Sequence, residues 1–552
     1  MKLVECVPNF SEGRDSAKIE QIIKEIRETR NVMLLDVDPG EATNRTVVTF
    51  IGPPGDAVEA AFRAIKRASQ VIDMRTHKGE HPRMGATDVC PFVPVSEMSV
   101  GECVELAKKL GERVGKELSI PVYLYEYAAS KPDRKSLSSI RKGEYEGFEE
   151  KIRDDHWKPD FGPSLFNAQS GCTAIGVREF LIAYNVNLNT RDKKKANRIA
   201  KIIRESGYTD KGDRDEDGKP VLVPGRLQEC RAVGWYIDEY NMAQVSINLT
   251  NFKITPIHLA FDTVCEEAEK LGLRVTGSEI VGLVPKEAML MAGKHYLEKQ
   301  GENTGIPEKD IIANAVQSMG LSEVSEFNVQ DKIIEYAYKK DKKGLVDMQV
   351  DEFSDLLSTD APAPGGGSVA ALNGALSASL TAMVASLTLG KKKYKEHEEL
   401  MKEIAQEAQD LKYFFLGAVD EDTEAFNEIM DAFSLPKKTD EDNQKRNDAI
   451  QMATRKATMV PFNVLGSTKR LADLALTVAE KGNKNSLSDS GVAGLTAQSA
   501  CTGAYYNVMI NLGGIEDQEF KKDISEKASF IREQVLSVTG RIEKILSDEL
   551  GE

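Results

Sequence analysis

The chain has 552 residues, 41% of them hydrophobic and 29% charged, with a formal net charge of −16. That length predicts roughly three or four folding units, and the acidic balance argues against nucleic-acid binding while leaving local basic clusters able to hold an anionic small ligand. The seven cysteines are odd in number and form no Cys-x-x-Cys pair, which argues against a disulfide framework or structural zinc and predicts a reducing, cytoplasmic compartment.

Leu3-Val-Glu-Cys-Val7 is strand-like from the outset, so a signal peptide is not expected. Residues 46–52 read as a strand and 57–70 as a helix, with Val58, Ala61, Phe62 and Ile65 on one face. Residues 77–94 follow and hold the densest chemistry. His77 and His81, two of six histidines, stand close to Glu80, Arg83 and Asp88, among Gly79, Pro82, Gly85 and Pro91, which bar a long helix. That mixture suits a proton-transfer loop: imidazole titrates near neutrality, a carboxylate fixes its tautomer, and Arg83 can clamp a carboxylate. The spacing His77-x-x-Glu80-His81 also has the form of a zinc-hydrolase motif, but that motif needs a helix. Gly79 costs about 1 kcal/mol there, and Pro82 turns His81 away from helical geometry. The bland alternative is two structural histidines on a surface loop.

Residues 183–189 alternate polar and apolar ahead of a helix at 193–204, whose start Asp192-Lys-Lys-Lys195 reads as solvated; 245–251 and 256–271 repeat the unit. We therefore expect two α/β sandwich subdomains, 1–165 and 166–326, each a mostly antiparallel sheet with helices on one face. Asp213-Arg-Asp-Glu-Asp-Gly218 begins like a calcium loop, yet its twelfth position is Pro224 where a bidentate Glu is required, so a solvated loop is expected.

Residues 327–347 turn strongly charged and read as a linker. Beyond them the strand signal vanishes, and 348–552 reads as an all-α helical domain with helices at 348–357, 368–389, 396–429, 440–476 and 517–550. Pro461 is expected to kink or split the fourth. The apolar run 369–389, interrupted by Asn373, Ser377, Ser379, Thr381 and Ser386, reads as a buried helix, not a membrane span. Ala363-Pro-Gly-Gly-Gly-Ser368 lacks the Gly-Lys-Ser/Thr of a P-loop; it offers either a turn with Ser368 as helix cap or exposed amides for a carbonyl or anion. Asp420 and Glu424 share a helical face while Asp422 points elsewhere, and spacing alone predicts a solvated acidic surface. Asn485-Ser-Leu-Ser-Asp489 reads as a polar interhelical turn. Lys391-Lys-Lys393 suits either solubility or capture of an anionic tail.

Several long motifs fall in a telling order. Leu3-Val-Glu-Cys-Val-Pro-Asn-Phe-Ser-Glu-Gly13, Leu34-Leu-Asp-Val-Asp38, Thr43-Asn-Arg-Thr46 and His77-Lys-Gly-Glu-His-Pro-Arg-Met-Gly85 together resemble the glutamate formiminotransferases. Pro362-Ala-Pro-Gly-Gly-Gly-Ser-Val-Ala370 resembles the opening of the formiminotetrahydrofolate cyclodeaminases. The resemblance spans nearly the whole chain, in the order of the bifunctional formiminotransferase-cyclodeaminase family.

This resemblance implies transfer of a formimino group from N-formimino-L-glutamate to N5 of tetrahydrofolate, then cyclisation to 5,10-methenyltetrahydrofolate with loss of ammonia. It implies His81 as the proton carrier, with Asp38 as a candidate partner and Arg45 and Arg83 as candidates for substrate carboxylates. The implied folate segments hold Gly162, Pro163, Ser164, Gly171 and Cys172, then Pro224, Gly225 and Arg226, the latter after an acidic stretch at 210–219 that departs from the animal pattern. Asp420 or Asp422 is the implied cyclodeaminase acid. Tetrahydrofolate, in whatever glutamylation state, is a cosubstrate. No metal, nucleic acid or membrane is implied; the helical domain is short for a closed pocket, so dimerisation through it is expected, and the resemblance implies a larger ring-like homo-oligomer. The alternatives are a non-catalytic folate scaffold, N-formylglutamate as donor, and a metallohydrolase using His77 and His81.

Overall fold

The computed structural model describes residues 2–41, 43–79, 82–214, 220–340 and 344–550. Two compact units emerge: residues 1–291 with 319–339, and residues 292–318 with 340–552.

In the first unit, strands β1 (Leu3–Cys6), β2 (Asn9–Phe10), β3 (Met33–Gly40), β4 (Arg45–Gly52), β5 (Thr87–Ser96), β6 (Val122–Glu126) and β7 (Thr173–Val177) form one sheet. Pairings among β1 to β5 are antiparallel; β7 is parallel to both β5 and β6, between which it sits. Helices Ser16–Arg27, Pro54–Val71 and Val100–Leu118 cover one face. Their apolar stripes, Ile19, Ile22, Ile23 and Ile26 on the first and Val58, Ala61, Phe62 and Ile65 on the second, share a core with Val4, Phe50 and Phe92. Ser99 and Glu102 close a capping box that starts the third helix.

The anticipated subdomain boundary needs correction. Strand β7 lies past the anticipated boundary at 165, yet it completes the first sheet. A buried parallel strand needs partners on both sides, and only β5 and β6 supply them. On the second face of the first sheet, Tyr123, Tyr125, Val89 and Cys172 pack against Ile140, Phe148 and Ile152 from the excursion between β6 and β7.

The second subdomain holds an antiparallel sheet of β8 (Ile182–Leu188), β11 (Cys230–Ile237), β12 (Met242–Leu249) and β13 (Val275–Val281), in the order β11-β12-β8-β13, with the hairpin β9 (Tyr208–Arg214) and β10 (Pro220–Val223) apart from it. Helices Lys193–Ile203 and Ile257–Lys270 carry buried faces of Ala196, Ile199, Ile203, Ala260 and Val264. The calcium-like stretch falls largely on 215–219, outside the described residues. The expected linker is also revised. Residues Val329–Lys332 and Ile334–Lys339 form short helices that bury Ile333, Ile334, Ala337 and Tyr338, and Ile333 bridges Val284. Apolar residues hidden among lysines made this segment part of the first unit; the most charged residues, 341–343, lie outside the described ones.

The second unit is helical, with Val350–Leu357, Gly366–Thr388, Glu398–Ser434, Asp440–Lys481, Leu487–Leu512 and Gln518–Leu550. Segment 292–318, expected in the second subdomain, joins this unit, where the Glu308 amide donates to the Tyr413 hydroxyl at 2.8 Å. Helix Gly366–Thr388 is long and apolar enough to cross a membrane, but its small residues, from Ala370 to Ala385, are packed in the helical core. Helix Asp440–Lys481 runs unbroken through Pro461. Proline has no N–H for the Ala457 carbonyl, and Asn511 Nδ2 donates to that oxygen instead, at 2.7 Å. Helix Leu487–Leu512 escaped the sequence reading because Gly491, Gly494 and Gly503 and its alanines blur any stripe. The expected turn at 485–489 is therefore mostly the first turn of a helix.

Candidate active sites

Two backbone segments meet at the base of the histidine loop in the first unit. Gly85 bridges Gly171, the Cys172 amide donates to Met84 O at 3.1 Å, and Ala86 N donates to Ser170 O at 2.8 Å. Gly171 has φ +66°, and a Cβ there would lie 2.1 Å from Met84 O, so only glycine allows this approach. The first folate-like segment thus lies against the histidine loop through Gly171 and Cys172.

Glu80 and His81, the latter the expected proton carrier, lie outside the described residues. Around them, residues 72–79 form turns and no helix. His77 Nδ1 accepts from Arg83 Nε at 3.2 Å, and His77 Nε2 lies 3.0 Å from Asn44 O. Arginine can only donate and a carbonyl can only accept, so His77 is the neutral tautomer protonated on Nε2. Burial, reinforced by the Arg83 charge and opposed by the Asn44 bond, holds its pKa below the usual range. Both ring nitrogens are engaged, so a metal could use His77 only by breaking one of these bonds. Asn44 staples the loop further: its Oδ1 accepts from Gly13 N at 2.9 Å and its Nδ2 donates to Lys78 O at 3.0 Å.

Arg83, expected to meet a substrate carboxylate, already grips two. It donates to both oxygens of Glu146, at 2.7 and 2.8 Å, and to Glu144 at 3.2 Å. An open cleft of about 480 Å³ beside it is lined by Lys78, Gly79, Arg83, Gly143, Glu144 and Glu146. Behind the loop, Asp88 is 1% exposed, accepts from Met84 N at 3.0 Å and meets Arg141 and, at 3.6 Å, Arg45. Arg45 Nε donates to Asn9 Oδ1 at 2.9 Å. Asp38 is exposed on β3 opposite Val47, with no side-chain hydrogen bond among the described residues.

The other folate candidates have structural contacts of their own. Gly162 packs on the Ile120 carbonyl, with Pro163 half-buried and Ser164 exposed beyond it. Pro224 is exposed, and Gly225 packs on the Arg204 carbonyl. Arg226, anticipated on a folate tail, pairs with Glu266 and Glu267, each at 2.6 Å. Asn9, Asn44, Arg141, Glu144 and Glu146 were missed. Asn9 and Asn44 stand inside the quoted motifs Leu3–Gly13 and Thr43–Thr46, which carried some signal, whereas Arg141, Glu144 and Glu146 belong to an ordinary charged stretch.

The second centre lies in the helical unit, where helix Gly366–Thr388 begins against helix Glu398–Ser434. Ser368 does not cap its own helix, as had been one reading. Its buried hydroxyl lies 3.0 Å from Val419 O and 3.2 Å from Asp422 Oδ2. A Cβ at Gly367 would lie 2.1 Å from Asp422 Oδ1, so the missing side chain is what admits the carboxyl. Burial raises the Asp422 pKa, while the hydroxyl and amide of Ser368 pull it down. Asp420 faces another way: its Oδ1 accepts from Leu345 N at 2.6 Å. The two carboxylates, inseparable by spacing, therefore differ in surroundings. Asp422 is the one whose burial favours the protonated form, as an acid catalyst requires.

Family models described as the formiminotransferase domain N-terminal subdomain, the formiminotransferase domain and formiminotransferase-cyclodeaminase match residues 3–178, 183–339 and 349–530. The chain is 42% identical over 551 residues to a formimidoyltransferase-cyclodeaminase of Dictyostelium discoideum, covering 99% of each. A glutamate formimidoyltransferase of Thermoplasma acidophilum is 45% identical over 307 residues, 55% of this chain and 95% of the relative. A methenyltetrahydrofolate cyclohydrolase of Methylorubrum extorquens is 42% identical over 174 residues, 32% of this chain and 84% of the relative.

Proposed function

The chain belongs to the formiminotransferase-cyclodeaminase family, and we propose that its two compact units divide that family's two steps between them. It is a bifunctional enzyme: it transfers the formimino group of N-formimino-L-glutamate to N5 of tetrahydrofolate and cyclises the product to 5,10-methenyltetrahydrofolate, releasing ammonia. The match to the Dictyostelium relative, end to end, carries this reading.

In the first step N5 loses a proton as it attacks the amidine carbon, and the departing glutamate nitrogen gains one. We assign both transfers to His81. His77, held neutral by Arg83 and Asn44, keeps the loop in register, and Asp38 is the candidate to stabilise an imidazolium. A donor carboxylate entering the cleft would exchange with Glu144 and Glu146 on Arg83; Arg45 and Arg141, joined through Asp88, are further candidates. In the second step we assign the acid to Asp422.

Folate binding draws on Gly171 and Cys172 beside the loop. The exposed Lys391, Lys392 and Lys393 support capture of a polyglutamylated folate. Leu376, Met383 and Leu387, 49, 38 and 46% exposed on one helix, support assembly from dimers through the helical unit. The absence of any disulfide among the seven cysteines supports a reducing cytoplasmic setting.

The test is a time course with formiminoglutamate and tetrahydrofolate, following methenyltetrahydrofolate by absorbance. His81→Ala should stop the first step; Asp422→Asn should let 5-formiminotetrahydrofolate accumulate. Turnover by a folded His81→Ala variant at the parent rate would refute the assignment. Competition with N-formylglutamate settles the donor.

A further inference from the structure

This inference rests on Asp422 as the acid of the second step. Ser368 is 0% exposed, so it acts through its neighbours. A hydroxyl has one hydrogen and two acceptor lone pairs, whereas the Val419 carbonyl only accepts. The hydrogen of Ser368 can therefore serve Val419 O, at 3.0 Å, or Asp422 Oδ2, at 3.2 Å, but only one at a time. Facing a neutral carboxyl, it belongs on the nearer carbonyl while its lone pair faces the acid. Facing a carboxylate, it belongs on the charge, because a hydrogen bond to an ionised acceptor is roughly twice as strong. Thr423 Oγ1, at 3.5 Å, is the other polar neighbour.

We propose that Ser368 is a positioning residue of the cyclodeaminase step: its hydroxyl turns from the Val419 carbonyl to Asp422 as the acid gives up its proton, and so stabilises the charge that ammonia release leaves behind. In that step N10 bonds to the formimino carbon and loses its proton. The bond from that carbon to the formimino nitrogen breaks, and its electron pair goes to the nitrogen. The nitrogen leaves as ammonia with two added protons, one that N10 lost and one from Asp422. The product cation is shared by N5 and N10, and solvent reprotonates Asp422.

The charged surroundings of Asp422 are few. Its own helix carries Asp420, Glu421 and Glu424, and Glu428, which pairs with Lys456 of helix Asp440–Lys481. The turn at Gly344–Asp347, which meets this helix through Asp420, carries Asp347, which accepts from Gly344 N. Helix Gly366–Thr388 has no acidic residue in its first turn, and Asn507, beside Gly366, is uncharged. Among the described residues Ser368 is the only group whose hydrogen bonds act on this titration.

The test uses the full chain and 5-formiminotetrahydrofolate, reading cyclodeaminase kcat against pH, with the transferase rate as a check on folding. In Ser368→Ala we expect kcat to fall roughly tenfold. The basic limb, where Asp422 loses its proton, should move up by about one pH unit, since the ionised form has lost a donor. Ser368→Thr, which keeps the hydroxyl, should restore both. A basic limb that stays in place or moves down overturns the proposal. If the alanine variant does not fold, Ser368→Cys, a weak donor, is read in the same way. Asp422→Asn separates the two assignments: if it stays active, the acid itself is wrong, whereas if it is dead and the alanine limb unmoved, only the role of Ser368 falls.

Discussion

Arg83 Nε donates to His77 Nδ1 at 3.2 Å, and this contact fixes which form of the imidazole the loop is built around. His77 must stay neutral to accept from Arg83, and burial, helped by the Arg83 charge, lowers its pKa. A group with a depressed folded pKa that is neutral above it stabilises the fold most at pH above its unfolded value. That contribution begins to be lost below about pH 6.5 and is gone beneath the folded pKa.

Glutamine can reproduce the neutral tautomer, accepting from Arg83 and donating to Asn44 O. We expect His77→Gln to keep transferase kcat/KM within about threefold and to flatten the acid-side fall in stability, measured by urea melts from neutral pH downward. His77→Ala, which leaves Arg83 Nε unpaired, should cost roughly 1–3 kcal/mol. Equal acid sensitivity of parent and glutamine variants would contradict the tautomer assignment.

Asp420 and Asp422 make a paired prediction. Asp420→Asn keeps an oxygen for Leu345 N, so cyclodeaminase activity should change by no more than a few-fold. Asp422→Asn removes an acidic proton and should cost on the order of 10²–10⁴ in that step alone. Accumulated 5-formiminotetrahydrofolate, read by chromatography, tells them apart.

Asn511 compensates for Pro461 through the Ala457 carbonyl. Asn511→Ala should destabilise the helical unit by about 1–3 kcal/mol, the cost of a buried unpaired acceptor. Pro461→Ala restores the backbone donor, so in that background the asparagine substitution should cost much less. A double-mutant cycle by thermal unfolding with a coupling near zero would show that the contact does not compensate.

Arg226 pairs with Glu266 and Glu267 in its own subdomain. Arg226→Ala should lower thermal stability by up to about 1 kcal/mol, as for a half-exposed pair, and leave the folate KM within twofold. A tenfold rise in KM would instead return Arg226 to the folate tail.

Much of the fold was legible because strand alternation and helical stripes are local signals. Helix Pro54–Val71 repeats an apolar residue on one face turn after turn, and β8 and β12 alternate cleanly. Helix Leu487–Leu512 was invisible for the opposite reason: its glycines and alanines are buried on several sides, so no stripe exists to be read. The strand β7 was misassigned because its partners, β5 and β6, are set by a crossover and not by neighbouring residues.

The amino-acid sequence by itself determined the alternation of α/β and helical regions, the histidine loop with its glycines and prolines, and the two aspartates competing for one role. Those are properties of residue type and spacing over a few turns. The tertiary structure alone decided that His77 is neutral, that Arg83 and Arg226 are already paired with glutamates, and that Asp422 is the aspartate set against Ser368. Protonation and pairing depend on which groups meet in space. Here the deciding contacts join residues 33 apart, as in His77 and Asn44, or 54 apart, as in Ser368 and Asp422.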